Sequence, residues 1–211
     1  MKTKIISGML FLTLFAQAQE VKKTSFDNPF FQPYKTPFEV PPFDLIKEEH
    51  FKPAMVKGME EQQKEIDGIV KNKAVPTFQN TILAMENSGK LLSKASTVFS
   101  NLNSANTNDE IQKIAREIAP LTSAHRDNIY LNELLFQKVK YVWDNKSKEK
   151  LGKEELKVLE NTYKAFVRSG ANLSAADKEK LRAINAELSV LTLKFSQNIL
   201  AETNKYELVV E

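Results

Sequence analysis

Side chains able to hold a metal or carry out catalysis are sparse in this chain. Its 211 residues include two histidines, His50 and His125, and no cysteine. Neither histidine opens an H-E-x-x-H sequence, in which two imidazoles one helical turn apart bind zinc and the glutamate serves as base. They are far apart in sequence, and a surface or capping role suits each better than ligation. Without a thiol there can be no disulfide, thiolate ligand or Cys–His nucleophile. Gly152 and Gly170 are isolated stops, so no glycine-rich loop can cradle a phosphate, and G-x-S-x-G is absent. The doublets Glu48-Glu49, Glu60-Glu61 and Glu154-Glu155 read as solvated helix faces, with nothing to mark one as an acid–base pair. The residue types alone assign no catalytic, cofactor-binding or metal position.

Charge narrows the partners. The formal net charge is +3 and the isoelectric point is near 8.8, but Lys and Glu alternate throughout and form no basic run, so no nucleic-acid partner is expected. Lys2 and Lys4 begin a short basic start. The apolar stretch Ile5–Phe15 and the A-x-A pattern Ala16-Gln17-Ala18 complete a signal peptide over residues 1–18. That stretch is shorter than the ~20 residues needed to cross a bilayer. Cleavage after Ala18 would leave Gln19 as the N-terminus, with no cysteine beside it to carry a lipid. The expectation is an exported protein, periplasmic or secreted, with no membrane partner after cleavage.

Residues 19–45 form a lead-in with Pro29, Pro33, Pro37, Pro41 and Pro42 among Phe26, Phe30, Phe31, Tyr34, Phe38 and Phe43. Proline fixes φ and removes donors, so an extended segment is expected, packed by its rings over the domain surface rather than serving as a ligand arm. Residues 46–211 read as one mainly all-α domain of antiparallel amphipathic helices joined by short connections. Thr77 and Ser174 are candidate N-caps, and Gly89 and Gly170 are helix stops. Pro120 predicts a kink or break in Asp109–Tyr130, whose expected buried face is Ile111, Ile114, Ile118, Leu121 and Ala124.

The longest helix, Ser174–Asn204, carries Leu181, Ile184, Leu188, Leu191, Phe195 and Ile199 at steps of three and four. This is the stripe of a buried face, widened by Val190, Leu193 and Leu200. Leu188 and Phe195 should therefore be buried, and Leu188→Ala should cost ~2–5 kcal/mol. Tyr206–Val210 reads as a short terminal strand.

The wording of several segments, in order, carries a resemblance. They are Asn28-Pro29-Phe30, Pro41-Pro42-Phe43, His50-Phe51-Lys52-Pro53-Ala54 and Pro76 through Ile82. Ser104 through Asn108, Ser123-Ala124-His125-Arg126-Asp127, Leu173 through Asp177 and Phe195-Ser196-Gln197-Asn198 continue the series. Together they resemble the N-terminal part of the thimet oligopeptidase family of zinc metallopeptidases, in its peptidyl-dipeptidase (dipeptidyl carboxypeptidase) and oligopeptidase A branches. The resemblance implies the helical region of a two-half channel peptidase that admits short unstructured peptides. It also implies zinc held by H-E-x-x-H and a downstream glutamate, in a C-terminal catalytic half with no counterpart here. No zinc ligand, base or substrate-binding residue carries over. The expected function is the channel-wall portion of an exported peptidase, inactive alone and partnered by that missing half. The alternative is a non-catalytic helical peptide- or protein-binding module of the cell envelope.

Overall fold

The computed structural model describes residues 28–207. The leader expected at residues 1–18 and the apolar end of the expected strand, Leu208–Val210, lie outside them. Tyr206 and Glu207 are irregular, and the described residues contain no strand. The architecture is all-α: α1 (Glu48–Lys71), α2 (Ala84–Glu86), α3 (Lys90–Ala105), α4 (Asp109–Tyr130), α5 (Glu133–Asp144), α6 (Lys153–Arg168) and α7 (Ala175–Thr203).

Local chemistry sets the helix starts. Asn108, Asn132 and Ser174 accept the backbone N–H groups of Ile111, Leu135 and Asp177, at 2.9, 2.9 and 3.2 Å. Thr77 does the same for Asn80, opening a wide π-turn at Phe78–Leu83 that runs into α2. The turn is closed by Gly89, whose φ of 69° lies in the left-handed region. Of the kink or break expected at Pro120 there is no break: α4 runs from Asp109 to Tyr130 with the proline inside it. The bond the proline removes belongs to the carbonyl of Arg116, an exposed residue. Pro53 likewise sits inside an unbroken α1.

The longest of the core-forming helices, α1, serves two cores. Its N-terminal half packs Phe51, Met55 and Met59 against Val98 and Phe99 of α3 and Ile111, Ile114 and Ile118 of α4. Its C-terminal half packs Ile66 and Ile69 with Phe78, Ile82, Leu135, Val139, Leu159 and Phe166. Between them, Gly58 lets α1 meet α3 backbone to backbone. A Cβ there would lie 2.5 Å from the Leu92 nitrogen.

The lead-in docks by its first residues. Asn28 is buried and donates to the His50 carbonyl at 2.8 Å, and the Phe30 ring lies 5.4 Å from that of Phe51. The Lys94 ammonium donates to the Gln32 carbonyl at 2.6 Å and sits 3.7 Å from the Tyr34 ring. The segment is not extended throughout, because Pro29–Phe31 and Pro37–Glu39 form 3-10 turns. Phe38 at the second turn is 99% exposed.

The expected burial of the α7 stripe is overturned. Leu188 is 55% exposed and Phe195 66%, with Ile184, Leu191 and Ile199 also exposed. The reason is that α7 packs chiefly on α4 and turns a different side towards it. Leu121 and Ala124 of α4 are exposed as well; past Pro120 the residues of α4 that are buried are Asp127 and Ile129.

These burials fix opposite outcomes for two truncations. Phe166→Ala should cost about 3–5 kcal/mol, as for a large core side chain, whereas Leu188→Ala should stay within about 0.5 kcal/mol. Urea denaturation of the two variants checks both values.

Candidate functional site

The C-terminal half of α4 separates two open clefts. The first, of about 510 Å³, is lined by Gln62, Met85, Ser88, His125, Tyr130 and Asn161 among others. The second, of about 550 Å³, lies towards α7 and is lined by Arg126, Asp127, Arg168, Asn185, Leu188 and Thr192 among others. Thr122, Arg126 and Tyr130 border both. Tyr130 is held by Phe166, ring centroids 5.0 Å apart.

His125 anchors a polar line through the first cleft. Its Nε2–H donates to Gln62 Oε1 at 2.8 Å, Gln62 Nε2 donates to Ser88 Oγ at 3.2 Å, and Ser88 Oγ donates to the Met85 carbonyl at 2.7 Å. The line joins α4, α1 and the end of α2. Gly89 beside it is favoured by its positive φ, and a Cβ there would lie 2.5 Å from the Gln62 amide and push that side chain out of the line. Burial pushes the His125 pKa below its usual value, because the half-buried imidazole is costly to charge.

The second cleft is floored by the joint between α4 and α7, where a line of polar contacts runs beside Leu193, which packs on the α1–α3–α4 core. Asn185 donates to Asp127 at 2.8 Å, Arg182 to Asn128 at 3.0 Å, and Arg116 to Gln197 at 3.1 Å. Asp127 is buried, with 7% exposure, so its carboxylate depends on this partner. The two helices therefore run antiparallel, and α7 presents its apolar stripe outwards. Sequence reasoning missed this joint. A strong apolar stripe outweighed Asn185 and Asp127, which are ordinary polar residues when read singly.

The histidines and carboxylates weighed from sequence do not converge. His50 Nδ1 accepts the Lys47 N–H at 3.0 Å and so caps α1, while His125 faces the first cleft. Glu155 accepts the Gly152 N–H at 2.7 Å and caps α6, and Glu49 and Glu60 are exposed. A backbone hydrogen bond, and then one from Asn108, holds the Glu48 carboxyl below its usual range. Among the described residues, no group of three or more His, Cys, Asp or Glu could hold a metal. The donor set present does not fit zinc, and no chemistry of a bound metal can be derived from it. Nor is any described helix long and apolar enough to cross a membrane.

No family model matches the chain. Among curated proteins it is similar to dipeptidyl carboxypeptidase of Escherichia coli, 38% identical over 183 residues, which is 87% of this chain and 27% of that protein. It is similar to oligopeptidase A of Escherichia coli, 26% identical over 81% of this chain and 25% of that protein. A thimet-like oligopeptidase of Dictyostelium discoideum is 29% identical over 70% of this chain and 22% of its own length. The chain spans about a quarter of the length of these relatives, and it matches their N-terminal part.

The depressed pKa of His125 gives a pH signature. Its contribution to stability is fully present above the unfolded pKa of about 6.5 and is lost as pH falls through the lower folded value. Thermal unfolding between about pH 7 and 5 should show falling stability, and His125→Gln should remove that part of the slope.

Proposed function

We propose that this chain, which belongs to the thimet oligopeptidase family of metallopeptidases and matches the N-terminal part of its members, supplies a helical channel wall for cleavage of short peptides. The similarity to dipeptidyl carboxypeptidase over 87% of the chain is the observation that carries this reading. The outward apolar stripe of α7 supports it, because such a surface calls for cover by further polypeptide. In this reading the catalytic residues and the zinc come from the portion that the relatives have beyond the matched quarter. The chain's own share is architectural. It presents the α7 stripe as a seat for that portion and restricts by size what reaches the catalytic centre, so that short unstructured peptides pass and folded proteins do not.

The test is complementation in trans. The chain is mixed or co-expressed with the unmatched C-terminal remainder of the Escherichia coli dipeptidyl carboxypeptidase, and cleavage of a quenched fluorescent peptide is followed. Turnover is expected from the mixture, lost with chelator, and absent from the chain alone. Leu188→Asp with Phe195→Asp should reduce complementation at least tenfold while helical content by circular dichroism is unchanged. Chelator-sensitive turnover by the chain alone, or no association with the remainder, would overturn the reading.

Export is part of the proposal and rests on the basic start, Ile5–Phe15 and Ala16-Gln17-Ala18. N-terminal sequencing of material recovered outside the cytoplasm should begin at Gln19. An intact Met1 on that material would contradict it.

A further inference from the structure

We propose that the second cleft is a binding site for a small organic carboxylate, held by the guanidinium groups of Arg126 and Arg168. This goes beyond the architectural reading of the chain and does not depend on it.

The chain has four arginines, and they divide into two pairs. Arg116 and Arg182 are committed to the joint: Arg116 donates to Gln197 and Arg182 to Asn128, with Glu179 3.4 Å from the Arg182 Nε. Arg126 of α4 and Arg168 of the last turn of α6 line the second cleft instead, and among the described residues neither takes part in an ion pair or a hydrogen bond. The acid nearest Arg168 in the α6 sequence at helical spacing, Glu160, is already shared by Lys157 and Lys164.

Arg126 is pre-set for a ligand. Its Cζ lies 5.7 Å from the centroid of the Tyr130 ring, and that ring packs on Phe166. A guanidinium held near an aromatic face loses little freedom when its planar N–H fork takes a carboxylate. The carboxylate that lines the cleft, Asp127, is buried and accepts from Asn185, so two cations against one acid leave the cleft net positive. Ser123, Ser169 and Thr192 line it too, and none of their hydroxyls has a hydrogen-bond partner among the described residues, so three further donors stand ready.

Shape and polarity narrow the ligand. A cleft of about 550 Å³ is far larger than a bare inorganic anion needs and lies in the range of small-molecule sites. Leu181 and Leu188 give it an apolar wall, which suits an anion that carries hydrocarbon. Further polypeptide laid over the α7 stripe would sharpen the need for an anion here, because a guanidinium taken from water without a partner is costly.

Isothermal titration of octanoate into the purified full chain tests the site. One saturable site is expected, with a Kd of about 1 mM or below, weakening as salt is raised. Octanamide keeps the hydrocarbon and lacks the charge, whereas inorganic phosphate keeps charge and lacks hydrocarbon; each should bind about tenfold more weakly, or worse. Arg126→Gln and Arg168→Gln should each weaken octanoate about tenfold, as for loss of a charge-assisted hydrogen bond. Lys153→Gln, at the exposed start of α6, should leave it within about twofold. Arg126→Lys, which keeps the charge without the fork, should fall between the parent chain and Arg126→Gln. Circular dichroism identifies any variant that has lost its fold. Absence of saturable octanoate binding up to about 10 mM, octanamide or phosphate binding as tightly as octanoate, or affinity unchanged in both Gln variants would each overturn the proposal. None of these outcomes bears on complementation by the catalytic remainder.

Discussion

The bond between Asn185 and the buried carboxylate of Asp127 governs how α7 sits. A buried carboxylate gains from a hydrogen-bond donor, and Asn185 brings one from α7. Arg182 on Asn128 and Arg116 on Gln197 repeat the constraint along the joint. Three polar contacts at these positions fix the helix about its own axis, and the apolar stripe is left facing water.

The docked side of α7 joins polar contacts to Leu193, which packs on the α1–α3–α4 core. Elsewhere the molecule buries its large side chains well: Phe51, Phe166, Ile66 and Leu135 are all nearly inaccessible. Gly58 brings α1 against α3, and Asn28, Phe30 and Lys94 tie the lead-in down. These closed cores contrast with the open face of α7, where Leu188 and Phe195 are exposed. The chain's two imidazoles fit the same picture. One caps α1 and the other holds a hydrogen-bond line across the first cleft, so both serve architecture.

Much of this was legible in the sequence. Two helix starts followed from Thr77 and Ser174, because a short polar side chain beside an apolar repeat marks an N-cap through purely local chemistry; the Asn108 and Asn132 caps were not singled out. The family resemblance was carried by ordered segments and agrees with the relatives found. The capping role of His50 was among the readings its isolation suggested. What failed was the assignment of faces. Periodicity reports that a helix has an apolar side; which neighbour covers it depends on distant partners such as Asp127, 58 positions from Asn185. Pro120 left a kink or a break open, and α4 runs unbroken through it. The clefts could not be read at all, because each gathers residues from several helices that no local pattern connects.

The absence of cysteine allows the orientation of α7 to be read directly. Single thiols placed by Phe195→Cys and Ile114→Cys, each in the full chain, can be reacted with a maleimide probe. With the stripe outwards, the Phe195→Cys thiol should react within about tenfold of its rate in denaturant, as an open surface site does, while Ile114→Cys in the core should be slower by orders of magnitude, limited by unfolding. A Phe195→Cys thiol protected as strongly as Ile114→Cys would contradict the polar docking of α7 and the seat built upon it.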